Sequence, residues 1–218
     1  KIPQLILEKN LYGLDIDDRA TQLAYFSLMM KARSYDRKLF SKKVELNVCA
    51  IQESDGISEE AIEYFVGDAL NKEDVQYLVK VFEDAKEYGS ILDVHPVQFD
   101  AIEQRLEEIK GNEEISDMFT LEYRDKIIEK LPALVKQAKI MCQTYEVVIT
   151  NPPYMGNNGM EKRLVDFGKR NYPNTRTDFS TMFMEKCLDF TQEHGYFSML
   201  NIPSWMFLST YKKLREQL

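Results

Sequence analysis

Apolar residues in this chain fall into short runs, closed by polar or chain-breaking residues, that alternate between strand and helix periods. Leu11-Tyr12-Gly13-Leu14-Asp15-Ile16-Asp17 reads as a short buried strand ending in acids, and Lys1 to Asn10 before it as the tail of a helix or a connector. A helix follows, with Asp17 or Asp18 as its cap and Leu23, Ala24, Ser27, Leu28 and Met30 as its inward stripe. Val44 to Ile51 alternates apolar and polar and then turns apolar, which predicts a further strand. Ser58-Glu59-Glu60-Ala61 and Asn71-Lys72-Glu73-Asp74 each open a helix, and another runs from about Val97 to Ile109. Tyr88-Gly89-Ser90 and His95-Pro96 interrupt the pattern between them. A long helix is predicted from Phe119 to Ile140, with Pro132 as a kink or boundary.

The second half of the chain begins with a sharper signal. Glu146-Val147-Val148-Ile149-Thr150 runs straight into Asn151-Pro152-Pro153-Tyr154. A buried strand must stop there, because neither proline can donate to a ladder. The residue before a proline is pushed to extended backbone, so Asn151 and Pro152 form a stiff, stretched shelf. Met155 to Thr177 then reads as a long loop with short helical content. Asp178 caps a helix whose stripe is Phe179, Phe183, Cys187 and Phe190, ending near His194-Gly195 with glycine at the left-handed terminus. Tyr196 to Ile202 reads as a strand stopped by Pro203, and Tyr211 to Leu218 opens another helix.

Composition narrows the class. The 218 residues, 44% hydrophobic, suffice for one sizeable core or one domain with an insertion. No apolar run approaches the roughly 20 residues that span a membrane, and the chain shows no signal-peptide pattern. Cys49, Cys142 and Cys187 have no metal spacing and read as reduced core thiols of a cytosolic protein. With only His95 and His194 beside them, no metal site is expected. The net charge of −8 is uneven: Glu53 to Gln143 holds 22 acidic and 10 basic residues, a net of −12, and the remainder is +4. The acidic segment reads as a solvated helical cap or as a surface for another domain.

The strand that runs into Asn-Pro-Pro-Tyr (the NPPY motif) resembles the catalytic strand of the S-adenosylmethionine-dependent amino-group methyltransferases, above all the N6-adenine DNA methyltransferases. The chemistry accounts for the residue types. The exocyclic amine of adenine is a poor nucleophile, because its lone pair is delocalised into the ring. The Asn151 side-chain oxygen and the Pro152 carbonyl both accept hydrogen bonds from that NH2 and favour a tetrahedral nitrogen. Tyr154 stacks on the base, which must be flipped out of the duplex; such stacking is worth about 1–3 kcal/mol per base. By the same resemblance, Pro153 completes the catalytic shelf. The acid closing the second strand, Asp15 with Asp17 as second candidate, holds the cofactor ribose; the other reading of these acids is helix capping. Glu53, next to Gln52, stands where family members contact the cofactor adenine; a plain surface turn is the alternative.

The segment after the shelf carries Asn157, Lys162, Arg163, Lys169, Arg170 and Arg176, and Met155 to Thr177 has a net charge of +3. Positive charge beside a base pocket suits a phosphate backbone, though an ordinary flexible loop is the competing reading. Ser204, Trp205 and Phe207 follow a strand end, where α/β sheets place their crevice; Trp205 shapes the base pocket or packs in the core.

Asn10 to Ala20, Leu23 to Phe26, Met29 to Arg33, the Asn-Pro-Pro-Tyr-Met-Gly run and Asn201 to Trp205 together look like the PglX family of BREX phage-defence adenine methyltransferases, related to type IIG restriction-modification enzymes. The resemblance implies an α/β chain with a Rossmann-like S-adenosylmethionine-dependent methyltransferase sheet, incomplete, and a helical insertion. It divides the chain into a core with the second and third strands (1–53), an acidic helical insertion (54–115) and a core with the catalytic strand (116–218). It implies a cytoplasmic bacterial enzyme acting on double-stranded DNA, with other phage-defence proteins as partners. One feature departs from the pattern: no two glycines are two residues apart, so the glycine-rich loop that cradles the methionine moiety is absent. The expectation is therefore an internal piece of a larger methyltransferase that by itself is inactive and binds the cofactor weakly. The alternatives are methylation of an RNA base or a protein glutamine, whose planar NH2 groups suit the same motif, or a non-catalytic binding role.

Overall fold

The computed structural model describes residues 1–67, 70–111 and 117–218. It is mixed α/β, with two separate two-stranded parallel sheets among the described residues. The chain forms two compact units, Lys1–Cys142 and Gln143–Leu218.

In the first unit, α1 (Ile2–Lys9) leads to β1 (Tyr12–Asp15), then α2 (Asp18–Tyr35) and β2 (Asn47–Ala50). β1 and β2 pair in parallel, with Tyr12 opposite Asn47 and Asp15 opposite Ala50. This is the strand–helix–strand crossover that the alternation of periods predicts. The Asn47 side-chain amide donates to the Glu8 carbonyl at 2.8 Å and ties α1 to the sheet. The local core comprises Leu7, Ala32, Leu39, Val44 and Leu46, with Leu28, Met29 and Val48 packed against it.

Two expectations need correction here. β1 is half-buried rather than buried. Of the predicted α2 stripe, only Leu28 faces the core; Leu23, Ala24, Ser27 and Met30 are exposed. α2 carries apolar residues at helical spacing on two faces, and periodicity by itself does not choose between them. The Leu28–Ala32 face wins because α1 and β2 lie against it.

The acidic segment forms helices where its caps predict them. α3 (Glu59–Val66) starts at Ser58, whose side chain accepts from the Ala61 amide, and α4 (Lys72–Val81) starts at Asn71, which accepts from the Glu73 amide. Short α5 (Ala85–Tyr88) and α6 (Phe99–Gly111) follow. The predicted end of this segment near Ile115 lies outside the described residues. α7 (Met118–Met141) runs through Pro132, which is therefore no boundary. Ile127, Leu131, Leu134 and Ala138 of α7 are fully buried, as are Phe65, Val75, Leu78, Phe82 and Ile91 of the preceding helical segment. α7 also lies beside β2, where Lys136 Nζ donates to the Leu46 carbonyl at 2.7 Å.

In the second unit, β3 (Tyr145–Thr150) pairs in parallel with β4 (Thr191–Met199). Between them in sequence come α8 (Lys162–Asn171) and α9 (Phe179–Phe190); α10 (Ser204–Phe207) and α11 (Lys212–Gln217) follow. β3 is not the buried strand expected: Val147 and Ile149 are 59% and 78% exposed, on a face that no element among the described residues covers. α9 ends at Phe190 rather than near His194-Gly195, and Thr191 Oγ1 closes it by donating to the Cys187 carbonyl at 2.6 Å. His194 and Gly195 instead lie inside β4, which begins at Thr191 and ends at Met199, short of the predicted Ile202. The register passes from Tyr145–Thr191 to Val147–Tyr196, so β4 bulges there, with His194 at φ 67°. A Cβ on Gly195 would lie 3.0 Å from the Glu146 carbonyl oxygen and 2.8 Å from Thr191 Cγ2, so only glycine fits the bulge without a shift.

Candidate functional site

Both strand pairs expose polar groups at their carboxyl ends. In the first unit, Asp15 closes β1 and is exposed; its Oδ1 accepts from the Asp17 amide at 2.9 Å. Asp17 caps α2, its Oδ1 accepting from the Arg19 amide at 2.8 Å. The capping reading of Asp17 thus has a direct geometric basis. A carboxylate has acceptor capacity for several donors, and an exposed one at a strand end can accept from the adjacent hydroxyls of a ribose. The chemistry of Asp15 therefore fits a ribose-bearing cofactor. Glu53, half-buried, accepts from the Lys86 amide at 3.1 Å and so serves the start of α5.

Asp18 had no role in the sequence beyond that of a possible cap. Its Oδ1 accepts from Gln52 Nε2 at 2.9 Å and its Oδ2 from Lys86 Nζ at 3.0 Å. The Lys86 ammonium, then the Gln52 amide, hold the Asp18 carboxyl below the usual carboxylate range. Gln137 of α7, wholly buried, grips the Gln52 main chain at both ends: its Oε1 accepts from the Gln52 amide at 2.8 Å and its Nε2 donates to the Gln52 carbonyl at 2.9 Å. The two residues stand 85 positions apart, so no local sequence signal reveals the contact.

In the second unit, Asn151 follows the last residue of β3 and is exposed, Pro152 is buried, and Pro153 and Tyr154 are exposed. The Tyr154 hydroxyl donates to Asn151 Oδ1 at 3.0 Å. A carbonyl oxygen has two lone pairs, so one remains for a second donor, and the bond fixes how the amide is presented. The backbone beyond is pinned by an antiparallel bridge between Gly156 and Asp178, by the Asn157 amide on the Thr177 carbonyl at 3.2 Å and by the Phe179 amide on the Met155 carbonyl at 2.8 Å. Asp178, buried, caps α9 as predicted, accepting from the Ser180 amide at 2.9 Å and the Ser180 hydroxyl at 2.6 Å.

The expected loop between Met155 and Thr177 contains a ten-residue helix, α8, with a buried Leu164–Phe167–Gly168 face. Lys162, Arg163, Lys169 and Arg170 are exposed, and their seven-residue spacing aligns them along its outer side. Asp166 sits among them, and the Lys169 ammonium at 2.9 Å holds its carboxyl below the usual range. Arg176 is exposed beyond the helix and Asn157 before it. Trp205 is half-buried and packs, as Phe197 and Met199 do, against the buried cluster of Met184, Tyr211 and Leu214, whereas Phe207 is 78% exposed. Among the described residues no group of three or more His, Cys, Asp or Glu is placed to hold a metal, and no helix is long and apolar enough to cross a membrane.

The family model of the Eco57I restriction-modification methylase matches residues 9–218. The chain belongs to that family. It is similar to the adenine-specific methyltransferase BrxX of Escherichia coli O9:H4 (strain HS), at 35% identity over 236 residues, which cover 98% of this chain and 19% of BrxX. It is also similar to the adenine-specific methyltransferase PglX of Lacticaseibacillus casei (strain Zhang), at 33% identity over 217 residues, covering 99% of this chain and 18% of PglX. The PglX resemblance stated from the motifs is borne out. The chain spans about a fifth of the length of these relatives.

Proposed function

We propose that the protein is a DNA adenine-N6 methyltransferase of a bacterial BREX or restriction-modification system, acting on double-stranded DNA in the cytoplasm with S-adenosylmethionine as methyl donor. The observation that carries the reading is the Asn151 carboxamide at the end of a parallel strand, its oxygen oriented by the Tyr154 hydroxyl. The kinship with adenine-specific methyltransferases supports it. The finer fold reading, a Rossmann-like methyltransferase sheet with residues 54–115 as a helical insertion, belongs to the same proposal, as does the division into segments 1–53, 54–115 and 116–218.

In this mechanism Asn151 Oδ1 and the Pro152 carbonyl accept the two N–H bonds of the flipped adenine amine. Accepting both draws the nitrogen lone pair out of conjugation and aims it away from the shelf. Pro152 and Pro153 keep the acceptors stiff, so little reorganisation is needed as charge develops. Tyr154 offers its ring face to the base and holds Asn151 with its hydroxyl. S-adenosylmethionine would supply an electrophilic sulfonium methyl, with Asp15 on its ribose, Asp17 shaping the same turn and Glu53 on the adenine side. No strong base is required, because the amine proton becomes acidic once the nitrogen is alkylated. Lys162, Arg163, Lys169, Arg170 and Arg176, with Asn157 and Trp205, contact the substrate, the basic residues meeting phosphates.

The test is methyl incorporation by the full-length protein into DNA, RNA and a glutamine peptide, with and without Asn151→Ala. DNA alone should accept the label and the variant should lose it. Undiminished labelling by the variant, or preference for RNA or the peptide, would sink the reading.

A further inference from the structure

The helical segment reaches back to the carboxyl ends of β1 and β2, and it does so through two residues that belong to no motif. Gln137 reaches from α7 and makes a peptide-like pair of hydrogen bonds with Gln52, the second residue after β2. Lys86 reaches from α5 to Asp18, whose other oxygen holds the Gln52 side chain. Glu53 closes the ring by accepting from the Lys86 amide. Just beyond, Gly89 at φ 63° lies against Ile16, where an added Cβ would stand 3.3 Å from Ile16 Cγ2. Gln52, Glu53 and Asp18 are thus held from the helical side.

A buried amide that commits both its oxygen and its nitrogen to one loop residue fixes that residue, because moving it would leave buried polar groups unsatisfied at a cost of about 1–3 kcal/mol each. We infer that Gln137 and Lys86 are positioning residues for the cofactor half of the site, fixing Gln52, Glu53 and Asp18 beside Asp15. The inference rests on the proposed cofactor role of Asp15. It makes the acidic helical segment the frame that orders the rim on which the nucleoside moiety sits, in addition to any surface it offers elsewhere.

The experiment is calorimetric titration of the full-length protein with S-adenosylmethionine. Lys86→Met, at a half-exposed position that does not threaten folding, should weaken binding by up to about fivefold, the scale of a surface ion pair. Lys86→Arg should restore it. Asp18→Asn combined with Lys86→Met should bind no worse than the weaker single variant, as expected of one interacting unit. Gln137→Leu should weaken binding about tenfold or more. Without any ligand, it should also speed hydrogen exchange at the Gln52 amide, while Lys86→Met should lower the melting temperature only slightly, as expected of a surface ion pair. If Asp15→Asn weakens binding but Lys86→Met and Gln137→Leu bind like wild type, the inference is overturned and the cofactor reading stands. If wild type does not bind, or Asp15→Asn binds as tightly, the cofactor reading falls and the inference with it.

Discussion

The two strand pairs end in opposite chemistry. After β1 the chain presents Asp15, Asp17 and Asp18, and each uses an oxygen to stabilise the surrounding fold, through the Asp17 amide, the Arg19 amide, and Gln52 with Lys86. After β3 it presents Asn151 to Tyr154, where two prolines stiffen the turn and the Tyr154 hydroxyl is bonded to Asn151. Support differs as well. β2 and its following loop lean on a helical core containing fully buried Leu131 and Leu134, whereas β3 exposes Val147 and Ile149. Charge is placed where a network can hold it, and neutral acceptors are placed where stiffness alone suffices.

Four kinds of experiment break or sharpen that contrast. Asn151→Ala should lower methyl transfer at least about a hundredfold in single-turnover assays, the scale of losing one preorganised electrostatic partner. Tyr154→Phe keeps the ring and removes only the hydroxyl, so its loss should be about tenfold; equal losses for Tyr154→Phe and Tyr154→Ala would show that the hydrogen bond, and not stacking, is the main contribution.

Leu131→Ala should destabilise the chain by about 2–5 kcal/mol in urea denaturation, because the residue is fully buried. Ile149→Thr, on the exposed face of β3, should stay within about 0.5 kcal/mol. A large effect at Ile149 would mean that the open face is covered in solution.

Replacing Lys162, Arg163, Lys169 and Arg170 by glutamine should weaken DNA binding across sequences and reduce the salt slope by about one for each phosphate no longer neutralised. An unchanged slope would remove α8 from the DNA surface.

The smallest effect concerns Asp18. Its carboxyl is held low chiefly by the Lys86 hydrogen bond. A depressed folded-state value adds stability above the unfolded carboxylate value near 3.8, and that stability is lost as pH falls through the lower folded value. Carbon-detected NMR titration should find Asp18 titrating below 3.8, rising toward it in Lys86→Met.

Caps were legible because they are local. Ser58, Asn71 and Asp178 each bond an amide two or three residues ahead, and the residue type at that spacing states the bond. The proline shelf was legible for the same reason: the backbone restriction acts on the residue itself and its neighbour. The end of α9 was misread because glycine at 195 suggested a helix terminus, yet this glycine answers a close approach of the Glu146 carbonyl from another strand.

The capped starts of α2, α3, α4 and α9 and the Asn-Pro-Pro-Tyr shelf were determined by the sequence itself, because each depends on contacts within a few residues. Tertiary structure decided which of two apolar faces of α2 is buried, where β4 bulges, and that Gln137 holds Gln52 while Lys86 holds Asp18. Those outcomes depend on which distant segment arrives, and neither side chain type nor local spacing carries that information.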